Sequence, residues 1–137
     1  MVVVTKEIQE ICQEFEDVPE LYEICMSGNL YEIARGLLDS EISNAARNPK
    51  LWAESAGWPT NYLTPSVEDC VDNEMHFTRR DVLDVMKALG EAVRELYEEG
   101  MSVDSALNEA EYSDEVSDTL NNIVAKRLKE AIDFCLS

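Results

Sequence analysis

The strongest structural signal in the sequence is a stripe of apolar residues at helical spacing between Thr78 and Gly100. Apolar side chains three and four positions apart lie on one face of an α-helix and can cover a core. Thr78 can cap the first amides, and Asp81 can reach back to it in a capping box. Gly100 suits the left-handed residue that ends many helices. We therefore predict a central helix over residues 78–99, whose inward residues are Val82, Val85, Met86, Leu89, Val93, Leu96 and Tyr97.

Similar stripes before and after the central helix predict further helices, and no run of alternating residues predicts a strand. Their start signals are Thr5, Pro19, Asn29, Asn48, Ser102 and Ser113. Between residues 57 and 77 the pattern fails at Gly57, Pro59 and Pro65, which predicts an irregular loop with one or two helical turns at most. The chain has 137 residues, the size of one domain. We predict an all-α, compact single-domain bundle of five to seven helices spanning residues 1–137.

The acidic residues are numerous and are segregated along the chain. There are 29 acids and 11 bases, which give a formal net charge of −18. Residues 7–34 contain eight acids, residues 51–78 contain five and residues 95–125 contain nine, and none of these three windows contains a lysine or arginine. These windows therefore have no local means of neutralising their charge.

The central helix has a more balanced polar face. Lys87 precedes Glu91 by four positions, and Arg94 lies three after Glu91 and four before Glu98. Such spacings allow ion pairs within one helix, each worth a few tenths of a kcal/mol. We predict that these residues pair locally and form an ordinary solvated face.

Acidic helix faces can attract basic proteins. Carboxylates one helical turn apart recur about every 5.4 Å, and the phosphates of one DNA strand recur about every 3.4 Å of axis. A groove built for phosphates would be drawn to such a face by the same long-range field. A merely solvated surface is the alternative, and direct nucleic-acid binding is disfavoured because the bases are few and scattered. The candidate partner-binding residues are Glu7, Glu10, Glu14, Asp17, Glu98, Glu99, Glu109, Glu111, Asp114, Glu115 and Asp118.

The four cysteines form no CxxC pair. Cys12, Cys25 and Cys135 fall on apolar stripes and are interpreted as small buried hydrophobes. Because the number of cysteines is even, disulfide bonds between them are not excluded. No signal peptide follows Met1, and residues 2–4 are too short for a membrane segment, so we predict a reduced, cytoplasmic protein with no membrane contact.

No catalytic or cofactor motif is found. His76 is the single histidine, and the acids near it, including Asp72, do not have the spacing of a zinc site. The segment after Asp69 lacks the glycine and the final glutamate of an EF-hand. There is no phosphate loop, no dinucleotide fingerprint and no nucleophile elbow. We predict no enzyme activity, no cofactor and no metal. A small hydrolase or metal protein centred on His76 and Asp72 is the less favoured alternative.

In small size, helical pattern and acid content, the chain resembles phage-encoded inhibitors of restriction or CRISPR nucleases. It is similar in the same way to bacterial immunity proteins. The resemblance covers composition and not motifs, so no functional residues carry over. It implies a protein that binds and inhibits a basic, nucleic-acid-binding protein. The most specific version of this hypothesis is that the chain mimics nucleic acid. The alternative is a helical regulatory module that uses an apolar patch, with a homodimer as one version.

Overall fold

A computed structural model of the chain describes residues 3–137, and these residues form helices and no strands. The all-helical fold is therefore confirmed. The described residues form eight helices, one above the predicted range. In chain order they are α1 (Lys6–Gln13), α2 (Pro19–Met26), α3 (Asn29–Arg47), α4 (Pro49–Ser55), α5 (Pro65–Glu74), α6 (Arg79–Glu98), α7 (Val103–Ala110) and α8 (Asp114–Leu136).

The central helix is confirmed as α6, with the predicted start and stop. The Thr78 hydroxyl accepts a hydrogen bond from the Asp81 amide at 3.3 Å, and the Asp81 carboxylate accepts one from the Thr78 amide at 3.0 Å. Gly100 follows with φ +106°, a conformation that residues with a Cβ rarely adopt. Ten residues of α6 are buried, which makes it the largest contributor of core residues among the eight helices.

The predicted irregular loop is wrong for its second half, because α5 occupies residues 65–74. Thr64 caps this helix by accepting from the Val67 amide, and Pro65 occupies its first turn, where a missing amide hydrogen costs nothing. Only Val71 is fully buried. A helix with so narrow an apolar face gives a weak periodic signal, and the surrounding prolines and acids conceal it.

Contacts between Cα atoms divide the chain into two compact units. Unit 1 comprises Met1–Leu38 and Thr78–Leu120, and unit 2 comprises Asp39–Phe77 and Asn121–Ser137. Within unit 1, α1 packs on α2, and α6 packs on α2 and α7. Within unit 2, α4 packs on α5. The helices α3 and α8 contribute residues to both units.

In the core of unit 1, the ring of Phe15 lies against Gly90 in the middle of α6. Phe15 is fully buried, and a Cβ added to Gly90 would lie 2.5 Å from Cε2 of the ring. The Arg94 guanidinium lies 5.5 Å from the centroid of the same ring. Gly90 therefore provides the space in α6 that admits the ring.

In unit 2, a small core forms around the C-terminal part of α8. Its buried residues are Ala53, Leu63, Val71, Leu128, Ala131 and Ile132. Trp52, Trp58 and Tyr62 pack against this cluster and are only partly buried. The two tryptophan rings are tilted against each other with centroids 5.4 Å apart.

The prediction of reduced cysteines is wrong for the folded structure, because all four are paired. Cys12–Cys25 lies in unit 1 and joins α1 to α2, with a Cα–Cα distance of 5.5 Å. Cys70–Cys135 lies in unit 2 and joins α5 to the end of α8, with a Cα–Cα distance of 5.9 Å. The predicted burial holds for Cys12 and Cys25, whereas Cys135 is partly exposed.

Candidate functional site

Negative charge is concentrated in unit 1. Its residues include 20 acids and six bases, a net charge of −14, whereas unit 2 has nine acids and five bases, a net charge of −4. The two units together account for all 29 acids and 11 bases. Most of the protein's excess negative charge therefore belongs to unit 1.

The acidic row predicted on α1 is partly neutralised by α6. Lys87 Nζ lies 3.7 Å from Glu14, and Arg94 lies 3.7 Å from Asp17 and donates a 2.8 Å hydrogen bond to the Glu14 carbonyl. Lys87 and Arg94, for which local pairs within α6 are predicted, thus contact Glu14 and Asp17 just after the end of α1. Glu7 and Glu10 remain exposed, and within residues 3–137 neither forms an ion pair.

Three other bases of unit 1 are also engaged. The Arg79 guanidinium donates to the Thr5 hydroxyl at 2.9 Å and lies 5.4 Å from the centroid of the Tyr31 ring. Arg80 pairs with Asp84, and Arg35 pairs with Glu32. Lys6, the sixth base, begins α1.

Many of the remaining acids of unit 1 lie in residues 95–118, which contain no lysine or arginine. We call these residues the acidic segment. It contains the end of α6, all of α7 and the first turns of α8. No ion pair joins it to a lysine or arginine in the described chain. Its predicted partner-binding residues Glu98, Glu99, Glu109, Asp114 and Asp118 are exposed, and Glu111 and Glu115 are half-buried.

Carboxylates from α6 and α8 meet at the edge of the acidic segment. Partial burial raises the pKa of Glu115. The nearby charges of Glu95 and Glu91 raise it further, as does the hydrogen bond that the protonated Glu115 side chain donates to the Glu91 carboxylate. Repulsion between these groups is therefore present in the folded protein. Glu91 and Glu95 were absent from the predicted site, because the spacing of Lys87 and Arg94 suggested local partners for Glu91. Glu95 could have been included in the predicted site, because it is the first residue of the window that contains no lysine or arginine.

Two tyrosines accompany these acids. Tyr112 lies between α7 and α8 and is 83% exposed, and Tyr97 near the end of α6 is 43% exposed. Exposed tyrosines are enriched in protein interfaces, where the ring adds contact area and the hydroxyl adds a hydrogen bond. The acidic segment thus combines charge with aromatic surface.

Unit 1 also contains a charged groove of about 240 Å³ between α1 and α6. Apolar side chains of Ile11 and Leu83 contribute to its lining. Its charged residues are Glu7, Glu10, Glu14, Arg80, Asp84 and Lys87. Because Lys87 pairs with Glu14 and Arg80 with Asp84, Glu7 and Glu10 are the unpaired charges that a ligand would meet.

Unit 2 contains a smaller cavity of about 200 Å³ with aromatic walls. Trp58, Pro59 and Tyr62 lie on one side, and Lys129, Ile132 and Asp133 of α8 lie on the other. The aromatic side chains contribute both to the unit 2 core and to the cavity wall. None of the acids predicted to bind a partner lines this cavity.

The alternative centre at His76 does not assemble a metal site. His76 is exposed, and its Nδ1 lies 3.0 Å from the Glu74 carbonyl oxygen. Within residues 3–137, no group of three or more histidine, cysteine, aspartate or glutamate side chains is arranged to hold a metal ion. Over the same residues, no helix combines the length and apolar character needed to cross a bilayer.

Comparison of the chain with models of known protein families gives no match, and comparisons with curated proteins and with solved structures give none either.

Proposed function

We propose that this chain is a non-enzymatic protein that binds a basic protein through the acidic segment and blocks that protein's nucleic-acid site. The proposal rests on one observation. Five of the six bases of unit 1 bind side chains that lie outside the acidic segment. No lysine or arginine is therefore paired with the carboxylates of the segment, and their combined field can steer a cationic partner towards them.

The geometry of α6 and α8 supports mimicry of a nucleic-acid strand. Glu91, Glu95 and Glu98 are spaced at i, i+4 and i+7 on α6, and Glu115 and Asp118 at i and i+3 on α8. The seven residue-to-residue steps from Glu91 to Glu98 cover about 10.5 Å of helix axis, which is about three phosphate steps of a DNA strand. A groove that accepts phosphates could therefore accept this row of carboxylates.

Tyr112 is the proposed apolar anchor of the interface. Charged rims contribute mainly to the rate and specificity of association, whereas aromatic anchors contribute most of the binding energy. A partner would therefore lose affinity on Tyr112→Ala even though the net charge is unchanged.

The direct test uses two variants with the same change in net charge. Immobilised wild-type protein captures proteins from a lysate at low salt, and bound proteins are identified by mass spectrometry. The test variant replaces four acids of the segment by their amides: Glu98→Gln, Glu109→Gln, Asp114→Asn and Asp118→Asn. The matched control makes the same changes at exposed acids of unit 2: Glu54→Gln, Glu74→Gln, Asp69→Asn and Asp72→Asn.

We expect a strongly basic partner that binds the control, is lost with the test variant and dissociates as salt rises. Nucleic acid added to the complex should compete for the same partner. A partner that binds both variants equally, or that stays bound at high salt, would contradict the proposal.

The apolar module remains a second candidate because large apolar side chains are exposed in unit 2. Leu51, Phe134 and Leu136 are the residues concerned. Two copies of a chain with a net charge of −18 repel each other, so salt should strengthen a homodimer and weaken a complex with a basic protein. Sedimentation at low and high salt distinguishes the two.

The predicted cytoplasmic location also remains a proposal. Cytosolic thiols are kept reduced, whereas disulfides persist in oxidising compartments. Acid quenching of the lysate, followed by unfolding, alkylation and mass spectrometry of the four cysteines, would test the location. Fully alkylated cysteines are the result expected for a cytoplasmic protein, and paired cysteines would count against it.

A further inference from the structure

The two disulfides differ in their access to solvent. Both cysteines of the Cys12–Cys25 pair have no exposed surface. Both cysteines of the Cys70–Cys135 pair are partly exposed. Thiol–disulfide exchange requires a thiolate to reach one of the sulfurs, so access is one of the factors that set its rate. The pair in unit 2 is therefore the more accessible of the two to a reductant, whereas the pair in unit 1 is shielded.

The Cys70–Cys135 disulfide also joins two parts of unit 2 that contain few fully buried residues. Val71 is the single fully buried residue of α5. At the other end of the link, Phe134 and Leu136 on either side of Cys135 are 61% and 49% exposed. The link joins residues 65 positions apart, so its loss frees a long stretch of chain.

The aromatic cavity of unit 2 is built from the same parts of the chain. One wall is contributed by Trp58, Pro59 and Tyr62, which precede α5, and the other by α8 close to Cys135. Release of α5 from the end of α8 would therefore loosen one wall from the other.

We propose that the Cys70–Cys135 disulfide is a redox-sensitive latch that holds α5 and the aromatic cavity of unit 2 in place, and that the buried Cys12–Cys25 disulfide is the more resistant of the two to reduction. A thiolate of a dithiol reductant attacks one sulfur of Cys70–Cys135, forms a mixed disulfide and releases the other cysteine, which takes up a proton. The second thiol of the reagent then attacks the mixed disulfide. The products are two cysteine thiols and the oxidised, cyclic reagent.

The test is a titration of the full oxidised chain with dithiothreitol, followed by differential alkylation and mass spectrometry. After a fixed incubation that is short of equilibrium, we expect Cys70 and Cys135 to be alkylated at roughly a tenfold lower reductant concentration than Cys12 and Cys25. Both tryptophans of the chain, Trp52 and Trp58, lie in unit 2, so tryptophan emission reports on this unit alone. The emission should shift to longer wavelength together with the first reduction step.

Hydrogen exchange on the same samples locates the change. Protection should fall in residues 57–74 and at the end of α8, and it should be retained in α1, α2 and α6. The Cys70→Ser/Cys135→Ser variant should have the emission of the reduced protein and not respond further to the reductant. The matched Cys12→Ser/Cys25→Ser variant should retain the wild-type emission before reduction.

Simultaneous reduction of both disulfides, or earlier reduction of Cys12–Cys25, would overturn the proposal. So would selective reduction of Cys70–Cys135 that leaves emission and exchange unchanged, because the disulfide would then hold nothing in place. If a serine variant fails to fold, the titration of the wild-type chain still decides the question.

Discussion

Replacing Gly90 by alanine should destabilise the protein, although alanine is the better helix former. The added Cβ would lie 2.5 Å from Cε2 of Phe15, whereas carbon atoms in van der Waals contact settle at about 3.5 to 4.0 Å. The ring would have to retreat by about 1 Å, and Phe15 is fully buried with the Arg94 guanidinium against it. A packed core does not provide such a movement without cost.

The size of the effect follows from two opposing contributions. Alanine in place of glycine within a helix gains about 1 kcal/mol, and overpacking of a core costs about 1 to 3 kcal/mol. Gly90→Ala should therefore lower the free energy of unfolding by about 0 to 2 kcal/mol. Gly36→Ala is the matched control, because Gly36 is also helical but a Cβ there would have no neighbour within 4 Å. It should raise the free energy of unfolding by about 1 kcal/mol.

Urea unfolding of the oxidised chain, followed by circular dichroism, measures both free energies. A third variant, Phe15→Leu, removes the ring from the contact. In that background Gly90→Ala should recover the gain of the control, with a coupling energy of about 1 to 3 kcal/mol. The reasoning would be refuted if Gly90→Ala were as stable as Gly36→Ala in the wild-type background, because the ring would then not occupy the space at Gly90.

Three further predictions follow from other contacts. Thr78→Ala removes half of the capping box of α6 and should lower the free energy of unfolding by about 1 kcal/mol in the same urea assay; an unchanged value would show that the cap is dispensable. Glu115 binds its proton more tightly in the folded protein than in the unfolded chain, because its pKa is raised. The stability of wild type relative to Glu115→Gln should therefore rise as pH falls from neutral through the raised pKa and level off below the ordinary value of 4.5, and a difference independent of pH would contradict this. Loss of the Cys12–Cys25 link, which joins residues 13 positions apart, should cost about 3 kcal/mol in Cys12→Ser/Cys25→Ser, and a loss below about 1 kcal/mol would contradict the loop-closure estimate.

The sequence is sufficient to predict the features that depend on local chemistry. Thr78, Asp81 and Gly100 mark the ends of α6, and the apolar stripe between them identifies its inward face except at Tyr97, which is exposed. The second half of the expected loop, by contrast, could not be predicted from such local signals. Apolar residues of α5 at positions 67, 70 and 71 provide too short a pattern to distinguish a helix from a turn.

The candidate site is less predictable, because it depends on contacts between residues distant in sequence. Lys87 pairs with Glu14, and Arg94 with Asp17, over more than 70 positions. Their spacing within α6 suggested that both cations pair with acids of the same helix. Glu91 was therefore expected to be neutralised and was not included in the predicted site. The cysteines present the same problem, since an even number permits pairing but does not identify the pairs.

The facing carboxylates of Glu91, Glu95 and Glu115 make unit 1 a locally frustrated fold, in which one set of contacts opposes the rest. A cationic ligand that relieves this repulsion binds the folded chain better than the unfolded one, and binding then adds to stability. At a free ligand concentration 100-fold above Kd, the gain is about 2.7 kcal/mol. The melting temperature of the purified protein can therefore serve as a screen for its partner, with no assay of the partner's own activity required.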